Sequence, residues 1–168
     1  MTARLPIVER DDLRYEPIRT GGVWNARKPN RYPDAILSAS CADDVVQGIA
    51  WARERHVAVT VRSGGHSVCA AAVRDGGLLI DLAALRGISV DIDKRTAHAQ
   101  PAIPSRDLAR ALGGHGLAFP VGHCGTVPLG GYLLAGGLGW GMRMWGPACH
   151  NVEQIEIVSA DGSTITAS

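Results

Sequence analysis

Like charges are not clustered anywhere in this sequence. Its 168 residues include 17 Lys and Arg and 16 Asp and Glu, and the formal net charge is +1. A protein that binds nucleic acid or an anionic membrane surface through charge needs a basic stripe or block. We therefore predict neither nucleic acid nor a membrane as a partner.

Leader and disulfide signals are also missing. Residues 1–12 are charged and interrupted by Pro6, so they resemble neither a secretory signal nor a transit peptide. The four cysteines form no C-x-x-C pair. We expect a cytoplasmic protein with reduced thiols, in which Cys41 and Cys69 are small buried hydrophobic residues.

Long uninterrupted apolar helices and the common nucleotide motifs are absent as well. Residues 124–142 form an uncharged run of 19 residues, long enough for a membrane helix. Seven of these 19 are glycine, and each interior glycine costs a helix roughly 1 kcal/mol. We predict a loop packed against a flat ligand. No G-x-G-x-x-G follows a predicted strand and no Walker lysine follows a glycine loop, which argues against the usual NAD and ATP sites.

Metal-ligand spacing is not evident either. His123-Cys124 and Cys149-His150 offer four soft ligands, but zinc ligand pairs are usually separated by two to four residues. We predict no metal site and keep a zinc site at these four residues as the weaker alternative.

Hydrophobic periodicity predicts an α+β protein that follows an irregular arm over residues 1–34. A strand, a helix and a second strand in succession favour a parallel crossover, and two later hairpins add antiparallel structure. Ser105 is the predicted cap of the second helix. The predicted strands cover 35–38, 57–61 and 78–82, the helices 43–55 and 104–112, and the hairpins 88–92 with 95–100 and 152–159 with 163–166.

Glycine, by contrast, is abundant at 21 residues and is dense in two stretches, residues 62–67 and 121–139. In the first stretch, Gly64 and Gly65 allow positive φ and a close approach of backbone N–H groups to an anion such as a pyrophosphate. We expect Arg62 to add a permanent cation at the mouth of this turn. His66 would then occupy a fixed position, from which its imidazole can be aimed.

The two stretches, R-S-G-G-H-S and C-G-T-V-P-L-G-G, together resemble the flavin-binding domain of the vanillyl-alcohol-oxidase, or PCMH-type, flavoproteins. They are most similar to the berberine-bridge-enzyme-like oxidases, and the match extends from about Trp24 to Ser168. The resemblance implies a PCMH-type FAD-binding fold over residues 35–168, with a small parallel βαβ subdomain followed by an antiparallel sheet subdomain with helices. It also implies FAD joined covalently to His66 and by a second bond to Cys124.

The resemblance assigns cofactor-binding residues position by position and assigns no catalytic base. The assigned residues are Arg62, Ser63, Gly64, Gly65, His66, Ser67, Gly122, Cys124, Thr126, Val127, Gly130, Gly131, Gly136, Gly137, Gly139 and Val158. Pro128, Ala135 and Ala70 stand where the family usually has glycine. If Pro128 or Ala135 occupies a position that needs positive φ, the second loop must distort.

The resemblance implies the flavin domain of an FAD-dependent oxidoreductase that oxidises alcohol, sugar or alkaloid-like substrates. Family enzymes continue beyond the position of Ser168 into a substrate domain, so we expect this C-terminally incomplete chain to be inactive alone. We expect it to act on a small molecule only when that domain is supplied. The alternative is a non-catalytic remnant, or one half of a split enzyme, with weak or no flavin. An unpaired final hairpin also predicts self-association or a complementing polypeptide.

Overall fold

The computed structural model describes residues 5–168, which form two compact units. The first contains the chain up to Ala84 together with Gln154–Ser168, and the second is Leu85–Glu153. In chain order the elements are β1 (Ile7–Glu9), α1 (Tyr15–Gly21), β2 (Ala35–Ser38), α2 (Ala42–Glu54), β3 (Val59–Arg62), β4 (Leu78–Asp81), β5 (Ile88–Asp91), β6 (Thr96–Ala99), α3 (Ser105–Gly113), α4 (Leu129–Leu134), α5 (Met142–Trp145), a 3₁₀ turn (Ala148–Asn151), β7 (Ile155–Val158) and β8 (Thr164–Ala167).

A four-stranded sheet in the order β1-β2-β4-β3 is the centre of the first unit. Strand β4 pairs in parallel with both β2 and β3, whereas β1 is antiparallel to β2. The predicted parallel relation of β2 and β3 is confirmed, although β4 lies between them. The predicted strand 57–61 is displaced and runs over Val59–Arg62.

Alternating side chains of β2 and β4 fill a core on each face of this sheet. Ile36 and Leu79 pack on one face, and Leu37 and Ile80 pack on the other with Ala52 of α2. Central parallel strands covered on both faces are continuously apolar, because successive side chains point to opposite sides. The predicted helix 43–55 is confirmed as α2, one residue earlier at each end.

The prediction of an irregular arm over 1–34 is wrong within the described residues, since β1 and α1 lie there. Residues 1–4 of that arm lie outside the described residues. Pro17 is compatible with α1 because it falls in the first turn, where a backbone N–H has no partner within the helix. Tyr15 is buried and its hydroxyl donates to the Pro33 carbonyl at 2.6 Å, so the arm is part of the core.

The strands β7 and β8 form the second predicted hairpin, and its register is antiparallel. Gly162 takes a φ of +89° in the turn, and Arg53 of α2 donates to the Asp161 carbonyl at 2.6 Å. Ile155, Ile157 and Ile165 are all exposed on this hairpin. The described part of the first unit therefore leaves these apolar side chains uncovered.

The second unit combines the predicted β5–β6 hairpin with α3 and two short helices. Its core contains Ile103, Leu108 and Leu112. Ser105 does not cap α3 as predicted, because Pro104 occupies the position before the helix and the Ser105 hydroxyl donates to the Val127 carbonyl at 2.8 Å.

The prediction of a loop throughout residues 124–142 is partly wrong, because α4 and the start of α5 fall in this stretch. Helix α4 begins after Pro128, and the positive φ values of Gly136 and Gly137, +90° and +75°, follow its end. The short helix α4 thus accommodates two glycines, Gly130 and Gly131, and two further glycines with positive φ follow its end. No helix among residues 5–168 is long and apolar enough to cross a membrane.

Candidate functional site

A buried ion pair joins the carboxyl ends of β3 and β4. Arg62 and Asp81 are register partners, and the guanidinium donates two hydrogen bonds to the carboxylate, at 2.6 Å from Nη2 and 3.2 Å from Nε. Only 2% of the Arg62 side chain and 11% of the Asp81 side chain are exposed. The same guanidinium donates to the carbonyls of Ile18 and Arg19, near the end of α1, at 3.3 and 3.4 Å.

The prediction that Arg62 places a cation at the mouth of the turn is therefore wrong. Its guanidinium is buried and engaged by Asp81 and by two carbonyls, so it does not face solvent where a pyrophosphate would bind. The side chain instead connects α1 to the strand ends from which the glycine turn departs.

Gly22 and Gly65 lie next to this ion pair and allow the segment after α1 to approach the turn after β3 closely. Gly65 takes a φ of +68°, and a Cβ there would overlap the Gly22 carbonyl oxygen. A Cβ on Gly22 would in turn overlap the Arg62 guanidinium. The Trp24 N–H donates to the Gly65 carbonyl at 3.3 Å. The turn is thus held against the segment after α1 by contacts that no larger residue permits.

His66 follows this turn and is partly buried. Its ring stacks on Trp24, with 5.5 Å between the ring centroids and 6° between the planes. Trp24 was not among the predicted site residues. The only signal was its place at the start of the segment that resembles the family.

The remainder of the first stretch is held by local hydrogen bonds. The Ser67 hydroxyl lies 3.4 Å from the Cys69 thiol and accepts from the Ala71 N–H at 3.3 Å. Cys41 and Cys69 were predicted to be buried, but all four cysteines are exposed and free. The predicted contact residue Val158 ends β7 in the same unit and is partly buried.

Of the three residues that stand where the family usually has glycine, only Ala70 has a positive φ, whereas Pro128 and Ala135 do not. Pro128 has a φ of −79° and Ala135 a φ of −92°, so neither distorts the second loop. Ala70 has a φ of +49° and is buried, and a left-handed conformation costs a non-glycine residue about 1–2 kcal/mol. Its N–H donates to the Ser67 carbonyl at 3.0 Å, and its carbonyl accepts from Arg31 at 3.1 Å.

Cys124 lies in the second unit with its thiol exposed. The hydrogen bond with the Thr126 hydroxyl, at 3.1 Å, is the largest cause that lowers the pKa of this thiol. Backbone groups of Thr126 and Val127 and the positive charge of Arg106 lower the pKa further. Because the thiolate is the reactive form, these contacts favour a nucleophilic cysteine.

The glycines of the second stretch differ in how much space surrounds them. Around Gly131 and Gly136 the space where a side chain would lie is open, so backbone is accessible there. Gly137 and Gly139 pack closely, because a Cβ on either would lie within about 3.2 Å of Tyr132. Gly122 is more loosely packed, and a Cβ there would lie 3.5 Å from Ser105 and Tyr132. Gly130 lies in α4, where Gly131 follows it.

Large apolar side chains are exposed near these open glycines. Leu134 is 89% exposed and Trp140 is 82% exposed, and Leu138 and Met144 are exposed as well. The Trp140 ring contacts the His123 ring edge-on, with 4.3 Å between centroids. Because contiguous exposed apolar surface marks ligand or protein contacts, we treat these side chains as candidates for such a contact. Within residues 5–168 no group of three or more His, Cys, Asp or Glu side chains is arranged to hold a metal.

Each unit thus offers backbone that a ligand can approach and a nucleophile that is exposed or partly so. A turn after a parallel strand suits a phosphate-bearing group, since ligands of parallel sheets bind beyond the carboxyl ends of the strands. The His66 imidazole and the Cys124 thiol, whose pKa is lowered, are both nucleophiles suited to attachment to an electrophilic ring. The chain has the features of a domain that binds a flat, anionic cofactor.

The family described as FAD binding domain matches residues 33–168. The chain belongs to this family of FAD-linked oxidoreductase domains, and its fold is the PCMH-type FAD-binding fold. The FAD-linked oxidoreductase nodO of Hypoxylon pulicicidum is 39% identical over 140 residues, which is 83% of this chain and 31% of that protein.

Two solved structures superpose closely on the chain. 6-Hydroxy-D-nicotine oxidase from Arthrobacter nicotinovorans has a TM-score of 0.90 at 28% identity, over 98% of this chain and 36% of that one. A variant of Phl p 4, a glucose dehydrogenase, has a TM-score of 0.91 at 26% identity, over 96% and 35%. The chain spans about a third of the length of these proteins.

Removing the carboxylate of Asp81 should destabilise the protein strongly, because it leaves the Arg62 guanidinium buried without its counter-charge. We expect Asp81→Ala to cost about 3–5 kcal/mol of unfolding free energy, measured by urea denaturation. Glu54→Ala, which removes an exposed partner of Arg55, should cost at most about 1 kcal/mol. Equal losses in the two variants would contradict the structural role of the buried pair.

Removing the Thr126 hydroxyl should raise the pKa of Cys124. In flavin-free Thr126→Val protein, compared with flavin-free wild type, the pH midpoint of iodoacetamide alkylation at Cys124, followed on its peptide by mass spectrometry, should move upward, and alkylation near neutral pH should slow. Cys69 is the internal control, because the Ser67 hydroxyl is the largest cause that lowers its pKa. An unchanged Cys124 profile would show that the Thr126 contact does not activate the thiol.

Proposed function

We propose that the chain binds FAD as the flavin domain of an FAD-linked oxidoreductase and attaches the cofactor covalently through His66. The observation that carries the proposal is the position of the imidazole. It follows a glycine turn at the carboxyl end of a parallel strand, and the turn is fixed by the Arg62–Asp81 pair. Membership of the FAD binding domain family supports FAD as the cofactor.

Backbone N–H groups of Ser63, Gly64, Gly65 and Ser67 are proposed to face the pyrophosphate. With the Arg62 side chain buried, the anion is neutralised by backbone dipoles and not by a guanidinium. Arg62 then acts in cofactor binding through the position that it gives the turn. Val158 is proposed to contact the adenine side of the cofactor, as the resemblance implies.

The second stretch is proposed to bind the flavin ring along accessible backbone and apolar side chains. Open space at Gly131 and Gly136 supports this role, whereas the packing at Gly137 and Gly139 gives those two glycines a role in the fold. Gly122, Thr126, Val127 and Gly130 complete the proposed set. The lowered pKa of Cys124 supports a second covalent bond from its thiolate.

Bound FAD would accept a hydride from the substrate, while the chain supplies binding, orientation and electrostatics. Alcohols, sugars and alkaloid-like molecules are the proposed substrate classes. The names of two structural neighbours, a nicotine oxidase and a glucose dehydrogenase, support sugars and alkaloids among them. We assign no catalytic base within the chain.

A second candidate function is that of one part of a shared enzyme, which turns over substrate only together with another polypeptide. One observation favours it: the isoleucines of the β7–β8 hairpin are exposed. An exposed apolar strand pair favours association with another chain or a second copy. A non-catalytic remnant with weak flavin binding is the remaining alternative.

Covalent attachment is tested by acid precipitation of the purified protein. We expect a yellow pellet and a mass increment equal to FAD on the peptide that contains His66. In His66→Ala, any flavin left in the pellet should be attached only through Cys124. Cys124→Ala should retain flavin through His66, with a changed visible spectrum. A colourless wild-type pellet, with free FAD in the supernatant, would refute attachment. An unchanged spectrum and peptide map in Cys124→Ala would reduce Cys124 to a packed thiol.

Turnover is tested by oxygen consumption with a panel of sugars, alcohols and cyclic amines. We expect negligible turnover from the 168-residue chain, because we assign it no catalytic base and general acid–base catalysis contributes roughly a hundredfold to ten-thousandfold. Activity that appears on adding a polypeptide homologous to the rest of a relative would support a shared enzyme. Robust turnover by a monodisperse 168-residue monomer would contradict the proposal.

A further inference from the structure

Trp24 lies beside a residue that anchors its backbone in the core. Val23 is 2% exposed and packs with Tyr15, Ile36 and Leu79 in one core cluster of the first unit. Its N–H donates to the Thr20 carbonyl at 3.1 Å. The position of the Trp24 backbone is therefore determined by the core.

The Trp24 backbone is also connected directly to the glycine turn. Its N–H donates to Gly65, and Gly22, two residues earlier, packs between Gly65 and the Arg62 guanidinium. The segment after α1 and the turn that precedes His66 are thus held together at consecutive points. A side chain on this segment has a fixed position relative to the His66 ring.

Core burial does not account for the indole ring, because the Trp24 residue is 54% exposed. Its defined ring contact is the parallel, offset stack on the His66 imidazole. Offset stacking is a favoured arrangement of two flat rings. The indole lies beside the imidazole with its plane nearly parallel, 5.5 Å away between centroids, so it is the ring against which the imidazole plane is aligned.

We infer that Trp24 is a positioning residue that holds the plane of the His66 imidazole for attachment to the flavin, an inference that rests on the proposed function. The nucleophilic electron pair of an imidazole nitrogen lies in the ring plane, so the orientation of that plane determines where the pair points. Fixing a reacting group in its productive geometry lowers the barrier by removing rotational freedom in advance.

The attachment reaction is balanced as an oxidation. A bond would form between an imidazole nitrogen and a methyl carbon of the flavin, the 8α-methyl by the family resemblance, while one C–H bond and one N–H bond would break. Two electrons and two protons would pass to dioxygen, which would become hydrogen peroxide. Trp24 takes no part in the bond changes, and it acts only on the orientation of the nucleophile.

The geometry is tested first in the chain produced without flavin. The ring protons of His66, assigned in NMR spectra with His66→Gln, should be displaced upfield by the indole ring current. Trp24→Leu should move them back toward ordinary values, whereas Trp24→Phe should keep part of the displacement. The ring protons of His123, which contacts Trp140, are the internal control and should not move.

Attachment is tested next by mixing each flavin-free protein with FAD and following acid-stable flavin over time. Trp24→Leu should attach FAD about ten- to hundredfold more slowly, with rescue by Trp24→Phe. Non-covalent FAD affinity, measured in a His66→Gln background, should be the same with Trp24 or Leu. Trp51→Leu, which removes an indole stacked under Arg55 on α2, is the control for loss of a tryptophan.

Three outcomes would overturn the inference. Unchanged His66 ring-proton shifts in Trp24→Leu would show that the two rings do not stack. Wild-type attachment rates in that variant would show that the stack does not assist attachment. An equal loss of non-covalent affinity and attachment rate would make Trp24 a binding or structural residue. If wild-type protein forms no acid-stable flavin at all, the proposed function fails, and the inference fails with it even where the stack is seen.

Discussion

The structure of the first unit depends on the ion pair between Arg62 and Asp81. Parallel pairing of β3 and β4 places the two residues side by side at the strand ends. Burying both charges is costly unless each is paired and hydrogen-bonded, and here the guanidinium also satisfies two carbonyls near the end of α1. One side chain thereby fixes three segments: the helix, the strand ends and the turn that carries His66.

This constraint explains why glycine is needed where the segments meet. Gly22 lies against the guanidinium and Gly65 lies against Gly22, so the distance between the segments is set by backbone alone. A turn held in this way presents its N–H groups and His66 in fixed directions. Rigid placement of polar backbone is what a cofactor with a pyrophosphate and a reactive ring requires. The second unit has a different character: its exposed Cys124 thiol is hydrogen-bonded to Thr126, and several of its large apolar side chains are exposed.

Features that depend on local sequence were predicted well. Hydrophobic periodicity identified β2, β4 and the last hairpin. The two glycine stretches carried the resemblance to a flavin domain, and family membership is confirmed. Each of these signals lies within a few residues of the structure that it specifies.

Features that depend on distant partners were not predicted. The role of Arg62 was misjudged because its partner Asp81 is 19 residues away and becomes a neighbour only through the register of β3 and β4. Trp24 was missed because its contact with His66 requires the segment after α1 to lie against the turn that follows β3, 42 residues further along the chain. Helix α4 was missed because penalties for glycine were summed over a long helix, whereas the structure needs only six helical residues there.

The most direct test of the account is whether FAD co-elutes with the folded protein in gel filtration. The flavin-free 168-residue protein would be mixed with FAD and passed over a gel-filtration column, with absorbance recorded at protein and flavin wavelengths. We predict flavin bands that co-elute with the protein at close to one FAD per chain, and a marked loss of FAD when Asp81→Ala releases the turn. A protein peak without flavin absorbance would contradict the central claim that this chain is an FAD-binding domain in function as well as in fold.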